Sequence, residues 1–144
     1  MVSIYDRALE FKKKHPMTIA WRLKKNSRIV EKYIGSNEKV LYVFAAQKNN
    51  NPFDFLSTAV IALTDERIII GRKRVVFGYF FDSITPDLFN DLKVLSGVIW
   101  GKIHIDTAKE FITLSNIDKS ALPEIEQMVG SCMRTKKQRI KKDM

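Results

Sequence analysis

The sequence predicts a mainly β domain closed off by one amphipathic helix. Three observations carry this. Seven stretches rich in strand formers follow one another between residues 38 and 117, at short spacing and with regular turn signals, as in a sandwich or barrel. The clearest of them is residues 98–106, Val-Ile-Trp-Gly-Lys-Ile-His-Ile-Asp. There Ile99, Gly101, Ile103 and Ile105 fall on one parity, and Trp100, Lys102, His104 and Asp106 on the other. Successive strand side chains point to opposite faces, so this reads as a strand with one dry face and one mixed face. Lastly, Leu122, Ile125, Val129, Cys132 and Met133 recur at helical spacing after the final strand.

Taken in order, the chain opens with two helices. Ile4, Ala8 and Phe11 share one side of the first, and Pro16 ends it, because the residue before a proline avoids the helical region. The pattern resumes at Met17. Ile19, Leu23, Asn26, Val30 and Tyr33 or Ile34 share a side, while Arg22, Lys24, Lys25, Arg28 and Lys32 lie mostly elsewhere, and Gly35 stops the helix. Its apolar side has two readings: a cover for the sheet, which is the usual role of such a stripe, or a membrane-surface helix.

The strands are expected at 38–47, 56–63, 67–70, 75–81, 88–95, 98–106 and 110–117. Residues 48–54 make a polar loop. Asp65-Glu66 tips a hairpin, and Gly71-Arg-Lys-Arg is a basic turn or strand end. Thr85-Pro-Asp closes the fourth strand, Ser96-Gly97 the fifth, and residues 107–109 turn into the seventh. Asp118 or Ser120 caps the last helix, whose first turn tolerates Pro123. Gly130 inside it costs about 1 kcal/mol relative to alanine. The basic run from Arg134 to Lys142 either continues that helix or frays as a tail.

The totals fit a single domain: 144 residues, 45% hydrophobic and 28% charged. One cysteine, Cys132, excludes an intrachain disulfide and suits a reducing compartment. The N-terminus carries charge where a signal peptide needs its apolar core, and no apolar run approaches the roughly 20 residues of a membrane helix. These features point to the cytoplasm. The net charge of +9 is unevenly placed. Residues 1–37 hold nine Lys/Arg and three Asp/Glu, residues 38–119 ten of each, and residues 120–144 six and three. The excess sits in the flanks, where it serves solubility or attracts an anionic partner.

Seven strands followed by one amphipathic helix is the element order of the pleckstrin-homology-like (PH-like) barrel, and three segments resemble its bacterial branch. They are Ala-Leu-Thr-Asp-Glu-Arg-Ile-Ile-Ile at 62–70, Gly-Val-Ile-Trp-Gly-Lys-Ile-His-Ile at 97–105, and Leu-Ser-Asn-Ile at 114–117. The resemblance covers about residues 38–133. It leaves 1–37 as an N-terminal helical extension and 134–144 as a basic tail or helix end. It implies a seven-stranded, partly open barrel of two near-orthogonal antiparallel sheets, capped by the C-terminal helix. It also implies a non-catalytic module for interaction or self-association. The basic pattern that phosphoinositide-binding relatives carry across their first two strands is missing: Lys39 and Lys48 are the only cations from 38 to 66, and Ser57 and Thr58 stand where phosphate wants Lys or Arg.

No phosphate loop, zinc spacing or calcium loop occurs, and neither a cofactor nor a small-molecule substrate is expected. The ladder Lys102, His104, Asp106 has no nucleophile placed beside it. His15 sits in a basic helix end. Cys132, on the apolar side of the last helix, reads as a small core residue. An anionic surface has candidate contacts in Arg72, Lys73 and Arg74 and in Arg134, Lys136, Lys137, Arg139, Lys141 and Lys142. Trp100 either packs under the N-terminal helices, against Trp21 or Phe11, or anchors an interface. The expected partner is thus a protein or a second copy, reached through a sheet edge or a helix. The alternative is peripheral attachment to anionic lipid at the inner membrane face. Nucleic acid ranks third.

Overall fold

The computed structural model describes residues 3–49, 57–74 and 77–143. Seven antiparallel strands stand in the order β4-β3-β2-β1-β7-β6-β5. They are β1 (Val40–Gln47), β2 (Thr58–Thr64), β3 (Ile68–Lys73), β4 (Tyr79–Ile84), β5 (Phe89–Ser96), β6 (Gly101–Thr107) and β7 (Phe111–Ile117). β1 to β4 form one meander and β5 to β7 another. A single pairing, Gln47 opposite Ser115, joins them, so the two expected sheets are one continuous but unclosed sheet. β4 and β5 remain edges.

Side chains sort as the alternation demands. In β6, Gly101, Ile103, Ile105 and Thr107 are buried, while Lys102, His104 and Asp106 face outward. β2 is buried along its whole length, because it is covered on both faces. Inside the curved sheet, Phe44, Ile61, Ile70, Phe89, Leu92, Ile103 and Leu114 pack with Leu122, Ile125, Val129 and Met133 of the C-terminal helix. Behind the sheet, Val43, Ala45, Val60, Ala62 and Ile69 pack under Ile4, Ala8, Leu23 and Val30.

Two helices supply that cover, and their apolar stripes explain why. α1 (Ile4–Lys14) starts at Ser3, which forms a capping box with Asp6, and buries Ile4, Ala8 and Phe11. α2 (Leu23–Tyr33) buries Leu23, Asn26, Ser27, Ile29 and Val30. Its apolar side covers the sheet and is therefore unavailable to lipid. Gly71 permits that docking: a Cβ there would sit 2.8 Å from Val30 Cγ2 and 3.0 Å from the Val30 amide nitrogen. Gly71→Ala is accordingly expected to destabilise the fold by about 1 to 3 kcal/mol, read as a shifted denaturant midpoint.

α2 starts six residues later than the pattern at Met17 suggested. Residues 17–22 instead cross the corner where β1 meets β7, from a turn at Pro16-Met17 to Arg22, which is left-handed at φ +54°. The Ile19 amide donates to the Asn116 carbonyl at 2.9 Å, and the Gln47 side chain donates to the Ile19 carbonyl at 2.8 Å. Backbone groups engaged with the sheet are lost to a helix. Asn26, unexpected on an apolar stripe, is buried because it works: it donates to the Trp21 carbonyl at 3.1 Å and accepts from the Lys73 amide at 2.7 Å.

Two strands begin at least three residues later than the sequence pattern indicated. β6 starts at Gly101, since residues 97–100 form a turn closed by the Gly97 amide on the Trp100 carbonyl at 2.9 Å. Ile99 therefore leaves the dry face and is exposed, like Val98. β4 starts at Tyr79, after Gly78, whose φ of +81° turns the hairpin. The first residues expected in that strand, Val75 and Val76, lie outside the described residues, as do Leu56 and most of the 48–54 loop. At the other end, α3 (Leu122–Ile125), a π turn (Glu126–Gly130) and α4 (Ser131–Asp143) form one uninterrupted helix, so the basic run continues the helix.

Candidate interaction face

Half of the tail cations are bound to the protein itself. Arg134 donates to Asp91 at 2.9 Å and to the Leu92 carbonyl at 2.8 Å, and also pairs with Glu126. Lys137 donates to the Phe89 carbonyl and to Asn90, and Lys136 to the Asp65 carbonyl. These contacts stretch the C-terminal helix from β5 to the β2–β3 turn. Arg139, Lys141 and Lys142 are exposed beyond them, with no partner among the described residues. Of the other basic run, Arg72 lies on the core side of β3, opposite Phe80, with its Nε buried and unbonded. Lys73 and Arg74 are exposed.

The open edges are defended. On β4 the Asp82 carboxylate accepts its neighbour's amide, Ser83, at 2.8 Å, and on β5 Asp91 does the same for Leu92. Arg134 and Lys137 take β5 carbonyls. Where β1 departs from β7, Arg7 donates to the Val40 carbonyl at 2.9 Å and the Leu41 carbonyl at 3.1 Å. In-strand charges and capped carbonyls discourage an added strand.

Two polar clusters are structural. Glu38 and Arg67 meet in a bidentate pair at 3.0 Å, and Arg67 also donates to the Tyr33 carbonyl and to Ser83. Thr64 and the Gly35 amide donate to the same carboxylate. Burial alone raises the Glu38 carboxyl, but the hydrogen bonds from Arg67, Thr64 and Gly35 outweigh it and hold it at about 2. The Thr-Asp-Glu-Arg turn is therefore a staple. The second cluster joins α1 to α3. His15 lies between Ser120 (2.8 Å) and Glu124 (2.9 Å), and Tyr42 donates to Glu124 at 2.7 Å. Ser120 is exposed, and its hydroxyl donates to Asp118 at 2.8 Å, so its proton is directed to Asp118 and not to His15. A cavity of about 570 Å³ beside it is lined by Lys14, Leu41, Tyr42 and Met128 among others.

His104 meets Thr113 at 3.2 Å and stacks on Phe111. Burial and then Lys102 and Lys93 lower its pKa, and the ladder it belongs to forms an outer face. Asp82 is hydrogen-bonded to Glu110, whose carboxyl is raised first by that bond and then by burial. Trp100 is half-buried in the β5–β6 turn, with its indole N–H on the Met17 carbonyl at 2.8 Å, so it packs on the connector between the helices. Cys132 is half-buried beside the core.

Besides the end of the tail, a second cationic surface is open among the described residues. On α2, Lys24, Lys25, Arg28 and Lys32 are exposed, with no acidic partner among the described residues. Lys25 and Lys32, seven residues apart, share a side. Lys32 lies 5.1 Å from the Tyr79 ring centre. Lys73 and Arg74 sit at the adjoining β3–β4 hairpin, tied to α2 through Asn26 and through Arg22, which donates to the Lys73 carbonyl at 3.2 Å. Three aromatics stand among these cations: Trp21 (54% exposed), Phe77 (81%) and Tyr79 (40%). The α2 cations are legible in the sequence as lying off the apolar stripe but are not among the candidate contacts named from it. The signal was present in their spacing. The aromatics had no signal, since only the fold brings residue 21 to residues 73–79.

Among the described residues no helix is long and apolar enough to cross a membrane, and no group of three or more His, Cys, Asp or Glu side chains is placed to hold a metal. The arrangement is that of a β-sheet module with engaged polar clusters, defended edges and, among the described residues, open cations at the end of α4 and on an α2 face set with aromatics. A sequence model of the bacterial PH domain family matches residues 34–130, and the chain belongs to that family, whose members are in general non-catalytic modules. Among solved structures it is similar to the pleckstrin homology domain from Shewanella amazonensis SB2B, at 14% identity and a TM-score of 0.49, over 78% of this chain and 88% of that one. No curated protein matches it.

Proposed function

We propose that the chain is a non-catalytic interaction module whose working face is built by α2 and the β3–β4 hairpin, and that this face takes an anionic partner surface. The observation that supports it is the set of unpaired cations Lys25, Arg28, Lys32, Lys73 and Arg74 around exposed aromatics. Near an anionic surface such residues contribute about 1 kcal/mol each. Strand addition at an edge, the route first expected for a protein partner, is disfavoured by the charges placed on β4 and β5. Of the nine basic residues picked from sequence, only Lys73 and Arg74 belong to this face.

The test compares two charge reversals of equal size in the full chain on immobilised heparin. Lys25→Glu, Arg28→Glu, Lys32→Glu together are expected to lower the eluting salt strongly. Arg139→Glu, Lys141→Glu, Lys142→Glu together should lower it much less, because screened attraction depends on local charge density. Equal shifts in both would mean that net charge, not this face, does the binding.

A further inference from the structure

We infer that the partner surface is an anionic lipid bilayer, contacted shallowly by Phe77 and Trp21 with the α2 cations above the headgroups. This rests on the face proposed above and names its occupant. Phe77 is 81% exposed beside Gly78, whose φ of +81° leads into β4. A hairpin closed by the Arg74 amide on the Gly78 carbonyl at 3.1 Å presents that ring outward. Tyr79 and Trp21 stand at the margins of the same face, each with part of its ring in water. Amphipathic aromatics prefer the membrane–water interface, and Lys and Arg beside them meet anionic headgroups.

The shape favours a bilayer over the other anionic partners. Proteins that bind single strands track the backbone along a positive groove. Here the cations lie on a helix surface next to Lys73, Arg74 and Phe77. The cavity of about 1010 Å³ between α1 and α2 opens elsewhere, among Arg7, Glu10, Glu31 and Lys39. An acidic protein would satisfy the cations and leave the exposed Phe77 without an apolar contact. Penetration is limited, because the apolar side of α2 is buried on the sheet. α2 lies outside the matched segment, which begins at residue 34, so this face belongs to the N-terminal addition as much as to the family's own fold.

The experiment uses the full chain with vesicles of phosphatidylcholine alone and of equimolar phosphatidylcholine and phosphatidylserine. Binding is expected to the mixed vesicles only. Phe77→Ser leaves the charge unchanged; it should weaken vesicle binding about tenfold while the heparin elution stays the same. Acyl chains brominated near the headgroup should quench the bound wild type more than Trp21→Phe. Circular dichroism checks that both variants fold, which their exposed positions favour.

Two results would overturn the inference. One is equal vesicle binding by Phe77→Ser and wild type. The other is heparin binding that depends on the α2 cations without any binding to mixed vesicles; the face would then stand, with a protein or nucleic acid as its partner. Loss of the α2 dependence on heparin would remove the earlier reading as well.

Discussion

Arg67→Met is expected to remove about 3 to 5 kcal/mol of stability near neutral pH, the usual consequence of leaving a buried charge without its partner. The Glu38 side chain is 1% exposed, and both its oxygens accept from the Arg67 guanidinium. The same guanidinium holds the last turn of α2, through the Tyr33 carbonyl, and β4, through Ser83. Four parts of the chain therefore loosen together. The pH dependence has a definite sign. In the folded protein the Glu38 carboxyl is held at about 2, below its ordinary 4.5. A lowered carboxylate stabilises above the unfolded value and loses that contribution as pH falls from about 4.5 toward 2. The shift corresponds to roughly 3 kcal/mol. In Arg67→Met the carboxylate can take a proton instead, so the gap between variant and wild type should narrow in acid. Denaturant unfolding at neutral pH and near pH 3 checks both points. A neutral-pH loss under about 1 kcal/mol would show that the pair contributes little beyond its hydrophobic isostere.

The strands were legible because they alternate, and the helices because they carry stripes. Ile103 and Ile105 turned inward as their parity required, and Ile4, Ala8 and Phe11 as their spacing required. What misled was pattern shared between structures. Ile19 continues the stripe of α2, but its backbone is bound to Asn116 and Gln47, residues distant in sequence. Ile99 continues the parity of β6, yet Gly97 turns the chain before it. The candidate site was less legible for a related reason. Charge counts cannot tell an engaged cation from an open one. Arg134 and Lys137 looked like a binding tail and proved to hold carbonyls of β5. The α2 cations looked like an ordinary solvated surface, and their meaning depends on Phe77 and Trp21 being folded beside them. In the sequence His15 reads as part of a basic helix end. Its burial comes from Glu124 and Ser120, more than a hundred residues away.

That long-range contact carries the second large effect. Glu124→Ala is expected to cost about 2 to 4 kcal/mol, because it leaves the Tyr42 hydroxyl and buried His15 without their acceptor. Burial on its own raises the Glu124 carboxyl; hydrogen bonds from Lys14, Tyr42 and His15 bring it to about 2. Lys14 is largely exposed, so its share is discounted for solvent screening. The sign matches that of Glu38: the contribution is full above about 4.5 and disappears as pH falls toward 2. Glu124→Gln keeps an acceptor for Tyr42 and should lose less than the alanine variant. The location of the damage separates this cluster from a general loss of packing. His15 and Glu124 tie the end of α1 to α3, whereas α2, though it meets the start of α1 where the Ile4 amide donates to Glu31 at 3.1 Å, has its own anchors in Arg67, Asn26 and the close approach at Gly71. Amide exchange in Glu124→Ala should therefore rise first in α1, with α2 and the β2–β3 hairpin protected to near the global limit. Uniform acceleration across both helices would mean that α1 and α2 open as one unit. The α2 face would then depend on a contact made by the other helix.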